Sequence, residues 1–476
     1  MTDKKIPYFL ALAPILFLII LLSINVYLYG DDSLGGSNQL ALLFSGAVAA
    51  IIGILYGNNW KDILEGISNS IKSVTPSIII LLLIGALAGT WLISGIVPAM
   101  IYYGLQILNP EIFLFATAII TAIISLATGS SWSTIATIGI ALLGIGQALG
   151  LPVGLIGGAI ISGAYFGDKM SPLSDTTNLA PAMAGTDLFT HIKYMMYTTI
   201  PSFSITLVIF LIIGFSSDIR GTQNIDELLQ TLDTSFNITP WLFLVPTIVI
   251  ILIVKKTPAI PALLAGSILG GLFAIIFQPN IITEISGETS VTIASSYKAV
   301  INAMSTDISI NTGNNQINNL LKSGGMYGML NTIWLIICAM IFGGILEVTG
   351  LLKRISEPII NHAKSTGSLV ATTTGTCIFF NITASDQYIS IVVPGRMFAD
   401  SYKEKGLAPE NLSRTLEDSG TVTSVLVPWN TCGATQSAVL GVATLSYLPY
   451  CFFNLISPIM TIIYAYLGIK IQKLKN

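Results

Sequence analysis

Charged residues are scarce in this chain of 476 residues, where Asp, Glu, Lys and Arg together make up only 9%. A soluble globular domain carries about a quarter of its residues as these charged types. Hydrophobic residues reach 53%, and apolar runs long enough to span a bilayer recur along the whole sequence. The composition therefore argues against a water-soluble protein. It predicts an all-α polytopic membrane protein whose main solvent is the lipid bilayer.

Cysteine and histidine are also rare, with four Cys and two His residues. The cysteines lie in apolar stretches without paired spacing, which predicts core residues rather than disulfides or a metal site. His191 and His362 lie in short polar connections, where we expect solvated side chains. The four cysteines are Cys338, Cys377, Cys432 and Cys451.

Motifs for nucleotide chemistry are missing. The sequence contains no P-loop GxxxxGK[ST] and no basic tract, and its net charge is −3. These features argue against an ATP-driven pump and against a nucleic-acid partner. An enzyme would lack a nucleophile with a plausible base at membrane depth. The class that remains is a secondary transporter, which uses ion gradients and needs no cofactor.

The chain resembles itself at an offset of 255 to 256 residues. Thr128-Gly129-Ser130-Ser131 resembles Thr383-Ala384-Ser385-Asp386, and Pro172–Thr177 resembles Pro428–Gly433. Transporters are often built from such internal repeats. The offset therefore predicts two similar halves.

Positive charge orients the halves, because Lys and Arg accumulate in short cytoplasmic loops. We predict five spans and one re-entrant hairpin in each half, with the hairpins at 111–145 and 367–395. This topology leaves only Arg220, Lys298 and Lys322 outside, places both termini in the cytoplasm and makes the second half inverted. The predicted spans are 7–29, 39–57, 77–96, 152–187, 194–216, 239–254, 258–277, 329–350, 416–440 and 446–469.

The predicted divisions follow from this topology. They are a first inverted repeat at 1–216, an external linker at 217–238, and a second inverted repeat at 239–476. The second repeat carries an external insertion at 278–330. Its Asn, Ser and Gly content predicts a loop with a short amphipathic helix.

Polar residues interrupt one predicted span in each half. The first break follows Asp168 and Lys169 and contains Pro172, and the second follows Asp418 and contains Pro428. Proline removes a backbone donor and clashes with the preceding turn, so both helices should unwind there. Irregular backbone at membrane depth is tolerated where protein or a water-filled cavity satisfies it. The breaks therefore predict a transport site near the bilayer midplane and disfavour a channel, which would not need them.

Carboxylates at this depth predict a site for a small hard cation and a proton. Such residues are costly to insert and are functional candidates, and hard cations prefer oxygen ligands. We expect Asp168, Asp175 and Asp386 to bind Na⁺. The full set of predicted ion- or substrate-binding residues is Ser130, Ser131, Asp168, Lys169, Ser174, Asp175, Thr176, Asn178, Thr383, Ser385, Asp386, Asp418, Asn430 and Thr431.

Structural roles compete with these predictions. Asp175 and Asp386 could each cap the helix that follows them. Asp168 could form an ion pair with the lysine that follows it, although adjacent residues on a helix point in different directions. Asp418 could lie at the cytoplasmic mouth with Arg414 as its partner. The hydroxyl and amide side chains could instead hold helices together.

The segment Gly167–Pro181, followed by Ala184–Asp187 and His191, resembles the signature region of the NhaC family of Na⁺/H⁺ antiporters. Thr383–Gln387 and Glu417–Gly420 resemble its second-half motifs, and the resemblance extends over nearly the full chain. It implies Na⁺/H⁺ exchange by alternating access without a cofactor. It also implies a multi-pass protein of the cell membrane that forms homodimers.

The same resemblance leaves the substrate open. The NhaC family also contains antiporters that exchange malate for lactate together with H⁺ and Na⁺. An organic anion requires a cation, the N-terminus of a helix, or both. Lys169 and the polar breaks could supply them, so a malate/lactate antiporter is the alternative prediction.

Overall fold

The computed structural model describes residues 6–29, 35–216, 225–360 and 365–474. Regular structure in these residues is almost entirely helical, which confirms the all-α fold. The four cysteines are buried and free, as predicted. Arg220, His362 and positions 217–224 of the predicted linker lie outside the described residues.

Helices of the first half range from long apolar segments to short polar ones. Helix α3 is amphipathic, with Asp62 in its first turn and Lys72 in its last, where each charge complements the helix dipole. The bounds are α1 Tyr8–Tyr29, α2 Ser37–Leu55, α3 Trp60–Ser73, α4 Thr75–Ile93, α5 Ile96–Ile107, α6 Phe113–Thr128, α7 Ser131–Thr134, α8 Ile140–Ala148, α9 Val153–Met170, α10 Asp175–Ala184 and α11 Leu188–Ser216.

The second half contains the remaining helices and two short strands. Strands β1 (Ile308–Ser309) and β2 (Lys322–Ser323) pair antiparallel, with Ile308 opposite Ser323. The helix bounds are α12 Ile225–Ser235, α13 Leu244–Val254, α14 Ala259–Phe277, α15 Pro279–Ser286, α16 Ile293–Ser305, α17 Asn315–Leu320, α18 Leu330–Val348, α19 Leu351–Ile360, α20 Thr366–Thr383, α21 Ile389–Glu404, α22 Pro409–Leu416, α23 Thr431–Leu440, α24 Thr444–Tyr447 and α25 Phe452–Tyr466.

Eight helical segments among the described residues are long and apolar enough to cross a membrane, or ten if two bent pairs each count as one span. They include both arms of the predicted first hairpin, Pro110–Thr128 and Ser131–Ala148. The two predicted broken spans are absent from this set because polar residues interrupt them. Membrane orientation and the inversion of the second half stay predictions.

The predicted insertion at 278–330 is more ordered than its composition suggests. Helices α15, α16 and α17 and the strand pair occupy it. A reciprocal capping box between Thr292 and Ser295 starts α16, and Ala299 and Ala303 form part of its buried face. The polar composition therefore concealed short helices that pack small side chains inward, while Ile293, Tyr297 and Ile301 of α16 stay exposed.

The two breaks have matching local structure. Helices α10 and α23 have ten residues each and begin 256 positions apart. Oxygen atoms of the Ser174 and Asn430 side chains cap their N-termini. Gly185 and Gly441 end them in the left-handed conformation, with φ of 82° and 65°. This is the local geometry that an internal repeat predicts.

Helix α9 packs closely against α6, which places the first break beside the first hairpin. A Cβ atom added at Gly167 would lie 2.2 Å from the Ala122 carbonyl oxygen, and one at Gly163 would lie 2.1 Å from that of Ala118. The Ser125 hydroxyl donates to the Ala164 carbonyl oxygen across the same contact at 2.6 Å. The glycines thus permit the approach that positions the end of α9.

We expect Gly167→Ala to destabilise the protein by about 1 to 3 kcal/mol, the usual cost of overpacking a tight contact. The matched control is Gly375→Ala, because Gly375 is also inside a helix but has nothing within 4 Å of an added Cβ. Thermal unfolding in detergent, followed with a dye that reacts with the buried cysteines, measures both. Equal melting temperatures for the two variants would contradict the contact's role.

Candidate functional site

A cavity of about 640 Å³ lies where the hairpin turns meet the broken helices. The starts of α7, α10, α21 and α23 all contribute to its wall, together with the α3–α4 and α13–α14 connections. Half of the predicted site residues line it. They are Ser130, Asp168, Ser174, Asp175, Thr176, Asp386 and Thr431.

Asp168 lies in the last turn of α9 and is only 8% exposed. Its Oδ2 atom accepts hydrogen bonds from the Ser131 backbone N–H at 3.1 Å and from the Ser131 hydroxyl at 2.7 Å. Gly129, with φ of 69°, reverses the chain just before this contact, and Ser130 caps the following helix. The first hairpin turn is therefore fixed to the carboxylate at the end of α9.

Asp386 lies in the second hairpin turn, at the position that the internal repeat matches to Ser131. Its Oδ1 atom accepts from the Ile389 backbone N–H at 3.0 Å, so the predicted capping alternative applies, and the same residue lines the cavity. Ser385 adopts a left-handed conformation with φ of 60°, and its carbonyl oxygen accepts from the Thr431 N–H at 2.9 Å. This bond joins the second hairpin turn to the start of α23.

Asp175 is exposed to the cavity rather than engaged as a cap. The N-cap of α10 is Ser174, whose hydroxyl accepts from the Thr177 N–H, so the alternative role of Asp175 as a cap is wrong. The Ser174 hydroxyl can reach the Thr177 N–H because Ser174 has the extended backbone conformation of an N-cap residue. Asp175 therefore lies on the cavity wall and does not cap α10.

The three predicted Na⁺ ligands share a cavity without forming a compact carboxylate cluster. Within the part of the chain that the structure describes, no three His, Cys, Asp or Glu side chains converge as a metal site. A small hard cation takes several oxygen ligands. The hydroxyls of Ser130 and Thr431 lie on the same wall and offer such oxygens beside a carboxylate.

Lys169 and Asp418 form a fully buried ion pair that does not line the cavity. The Asp418 carboxylate also accepts from the Ser457 hydroxyl at 3.2 Å and from the Thr198 hydroxyl at 2.8 Å. The two alternatives weighed from sequence are thus wrong: Asp168 does not pair with Lys169, and Asp418 does not lie at a mouth with Arg414. The long-range pair instead connects α9, α11 and α25 to the segment after α22.

Several other predicted site residues support the backbone around the cavity and do not line it. The Thr383 hydroxyl donates to the Phe379 carbonyl within its own helix at 2.8 Å. Asn178 is exposed and donates to the carbonyl oxygens of Pro172 and Ser174, at 3.0 and 2.7 Å. Asn178 thereby holds the first break in shape. Ser131, Ser385 and Asn430 act through the contacts described above.

Asn381 is a residue that the sequence reasoning missed. Its amide group donates to the Gly420 carbonyl oxygen at 2.8 Å and to the Thr423 hydroxyl at 3.0 Å, and its oxygen accepts from Ser390. Asn430 also donates to the Asn381 carbonyl oxygen at 3.0 Å. The sequence did contain a signal for Asn381, namely an amide side chain inside the apolar run Phe379–Ile382. Polar residues at membrane depth are costly and are therefore functional candidates.

Four further residues on the cavity wall were also missed. Lys256 supplies a positive charge from the α13–α14 connection, and Trp132, Gln387 and Tyr388 supply aromatic and amide groups. Lys256 is in a left-handed conformation with φ of 65°. From the sequence, a basic residue in a short connection indicated only a cytoplasmic loop. The proximity of Lys256 to the cavity depends on tertiary packing, which the sequence pattern does not contain.

His191 is fully buried, so the prediction of a solvated loop side chain is wrong. Its Nδ1 atom lies 2.8 Å from the Ser413 hydroxyl. Arg414 is buried next to it, stacks on Tyr194 at 4.6 Å and donates to the Lys470 carbonyl oxygen at 3.2 Å. His191 lies inside α11, and the packing of α11 against α22 buries its side chain.

The family model described as the Na⁺/H⁺ antiporter family matches residues 163–469, a range that contains both breaks and the second hairpin. This chain belongs to the Na⁺/H⁺ antiporter family. The resemblance to NhaC proteins is confirmed by relatives of that name.

Three curated relatives show how far the similarity extends. The Na⁺/H⁺ antiporter NhaC of Alkalihalophilus pseudofirmus is 39% identical, over 90% of this chain and 89% of the relative. The malate-2H⁺/Na⁺-lactate antiporter of Bacillus subtilis is 38% identical, over 100% of this chain and 98% of the relative. The Na⁺/H⁺ antiporter NhaC of Bacillus subtilis is 35% identical, over 98% of this chain and 99% of the relative. Relatives with differently named substrates therefore match this chain about equally well.

Proposed function

We propose that the protein is a secondary active Na⁺/H⁺ antiporter that exchanges sodium for protons by alternating access. The observation that carries this proposal is Asp168, a buried carboxylate on the wall of a cavity between two hairpin turns and two broken helices. A carboxylate at membrane depth that holds either Na⁺ or a proton can exchange one for the other. Asp386 and Asp175 supply further negative charge on the same wall.

The connections that line the cavity favour an inward-facing state. The α3–α4 connection at Val74, with the adjoining ends of both helices, and the α13–α14 connection, including Lys256, line it. The distribution of Lys and Arg assigns both connections to the cytoplasm. Alternating access would then move the hairpins and broken helices relative to the remaining helices. Cytoplasmic termini, a cell-membrane location and a homodimer carry over as parts of the same proposal.

The direct test uses purified protein in proteoliposomes that contain a pH-sensitive dye. A pulse of external Na⁺ is expected to drive protons out of vesicles that contain the protein, and not out of empty vesicles. Proton movement should occur with Na⁺ as the only added solute. Vesicles whose internal pH does not respond to Na⁺ alone would refute simple Na⁺/H⁺ exchange.

A carboxylate antiporter is the second candidate, and the size and lining of the cavity favour testing it. A volume of about 640 Å³ exceeds the needs of a bare ion, and Lys256 and the N-termini of α10 and α23 line it. Lys169 cannot serve the anion as predicted, because it is buried in the pair with Asp418. Proton or Na⁺ flux that requires added malate or lactate would establish this candidate and displace the first.

A further inference from the structure

The start of α11 and the end of α25 meet in an exposed patch of lysine and aromatic side chains. On α11 the exposed residues Phe189, Lys193 and Tyr197 recur every four positions, so they lie on one face of its first turns. The end of α25 adds Tyr466 and Lys470, which are also exposed. The Lys470 ammonium lies 4.5 Å from the centre of the Tyr197 ring and joins the two sides. We call these five residues the basic aromatic patch.

The helices that lead to the patch have the exposed apolar faces of spans that contact lipid. Ile200, Val208 and Ile212 of α11 and Ile459 and Ile463 of α25 are each between 45% and 60% exposed. Helix α11 is long and apolar enough to cross a membrane, and α25 belongs to a bent pair that is also long and apolar enough. Lysine and tyrosine at the ends of such spans lie at the level of the lipid headgroups. The patch is therefore placed where these two helices leave the hydrocarbon.

The positive charge of the patch has no counter-charge from the protein. Among the described residues, no carboxylate forms an ion pair with Lys193 or Lys470. Asp187, the acidic residue nearest to Lys193 in the sequence, instead accepts the Thr190 backbone N–H at 3.0 Å. A phosphate group would supply the missing negative charge, and acyl chains attached to it could follow the apolar faces of α11 and α25. An anionic phospholipid combines both features.

The chain after α25 connects the patch to the helices of the interior. Residues 468–474 form a C-terminal strap, in which the Gln472 carbonyl oxygen accepts a backbone N–H from the connection before α22 at 3.0 Å. The Lys470 carbonyl oxygen accepts from Arg414 of α22 at 3.2 Å and from the Tyr194 hydroxyl of α11. A ligand that holds the Lys470 side chain over α11 therefore also holds the strap against α22.

We propose that the basic aromatic patch binds the headgroup of an anionic phospholipid such as phosphatidylglycerol. Lys193 and Lys470 contact the phosphate, and the acyl chains lie along the exposed faces of α11 and α25. The bound lipid stabilises the strap on α11 and α22. The inference uses only the membrane-spanning nature of these helices, so it does not depend on which ion or solute the protein transports.

The test titrates the purified protein in neutral detergent with phosphatidylglycerol and follows thermal unfolding with a dye that reacts with the buried cysteines. A lipid that binds the folded state raises the melting temperature as it fills its site. Phosphatidylglycerol is expected to raise the wild-type melting temperature, and phosphatidylcholine, which has no net charge, is not. In the double variant Lys193→Gln with Lys470→Gln, the concentration for half of the effect should increase about 25-fold, or about fivefold for each lysine.

Two matched variants isolate the charge of the patch. Lys193→Arg with Lys470→Arg keeps both charges and should respond to phosphatidylglycerol like the wild type. Lys61→Gln, which removes an exposed lysine from the first turn of α3, should also respond like the wild type. Lys470 has a left-handed backbone with φ of 49°, which glycine adopts at lower cost. Lys470→Gly thus removes one charge without straining the strap and should increase the half-effect concentration about fivefold.

Four results would overturn the proposal. They are equal stabilisation by phosphatidylcholine, an unchanged phosphatidylglycerol titration in the double Gln variant, an unchanged titration in Lys470→Gly, and stabilisation by inorganic phosphate in place of lipid. A second copy of the chain is the competing occupant of the patch. A wild-type dimer that the double Gln variant converts to monomers, with no response of either protein to phosphatidylglycerol, would assign the patch to that interface and refute lipid binding.

Discussion

Replacing Asp168 by Asn is expected to abolish Na⁺-driven proton movement while leaving the structure around it intact. The Asn side chain keeps an oxygen that can accept the two Ser131 donors now at 3.1 and 2.7 Å. It loses the negative charge that attracts Na⁺ and the ability to take a proton. Loss of a charged ligand costs about 3 kcal/mol, which lowers Na⁺ affinity about a hundredfold. Proton flux in dye-loaded proteoliposomes and binding of radioactive Na⁺ measure the two effects.

The control for this variant is Asp62→Asn, which removes an exposed carboxylate in the first turn of α3. It should transport like the wild type. The melting temperature of Asp168→Asn should stay close to that of the wild type, because the contact with the first hairpin turn survives. Wild-type exchange in Asp168→Asn would remove this residue from the mechanism and leave Asp386 as the principal candidate.

The positions of the breaks were predictable because they depend on local rules. Proline at 172 and 428 cannot continue a helix, and the preceding helical segments end at Met170 and Leu426. Gly185 and Gly441 end the following helices in the conformation that glycine favours. Such features need only a few neighbouring residues, so the sequence is sufficient to locate them.

Partners that are distant in sequence were not predictable in the same way. Lys169 and Asp418 are 249 positions apart, whereas local spacing predicted a nearer partner for each, Asp168 and Arg414. Glu417 and Asp418 are adjacent, yet among the described residues only Asp418 has a cation partner, because neighbouring residues of a helix point in different directions. His191 looked exposed because its burial requires α22 to pack against it, and its partner Ser413 is 222 positions further along the chain. Each outcome depends on helix packing that no local pattern contains.

Removing either member of the Lys169–Asp418 pair is expected to cause the largest loss of stability of any single substitution considered. Lys169→Met leaves the Asp418 carboxylate buried, with the Ser457 and Thr198 hydroxyls as its remaining donors among the described residues. Asp418→Asn leaves the buried ammonium without a counter-charge. Removing one member of a buried pair costs about 3 to 5 kcal/mol. Thermal unfolding in detergent, detected by a dye that labels the buried cysteines, ranks the variants by stability.

The double variant Lys169→Met with Asp418→Asn distinguishes the contribution of charge to stability from the contribution of packing. It removes both charges at once, so it should recover more than half of the stability that either single variant loses. Lys298→Met is the matched control, because its partner Glu288 lies 3.4 Å away in an exposed pair, with side chains 52% and 56% accessible. Exposed pairs contribute little, so this control should melt like the wild type.

The same double variant also decides whether the pair takes part in transport. The pair joins the last turn of α9, which contains Asp168, to the π turn Glu417–Thr421, so it holds Asp168 and this turn in register. If its role is to position them, the double variant should be stable and still exchange Na⁺ for protons. A stable double variant without exchange would instead place a transported ion at the pair itself. Two destabilised single variants without recovery in the double would show that packing, rather than charge, unites these helices.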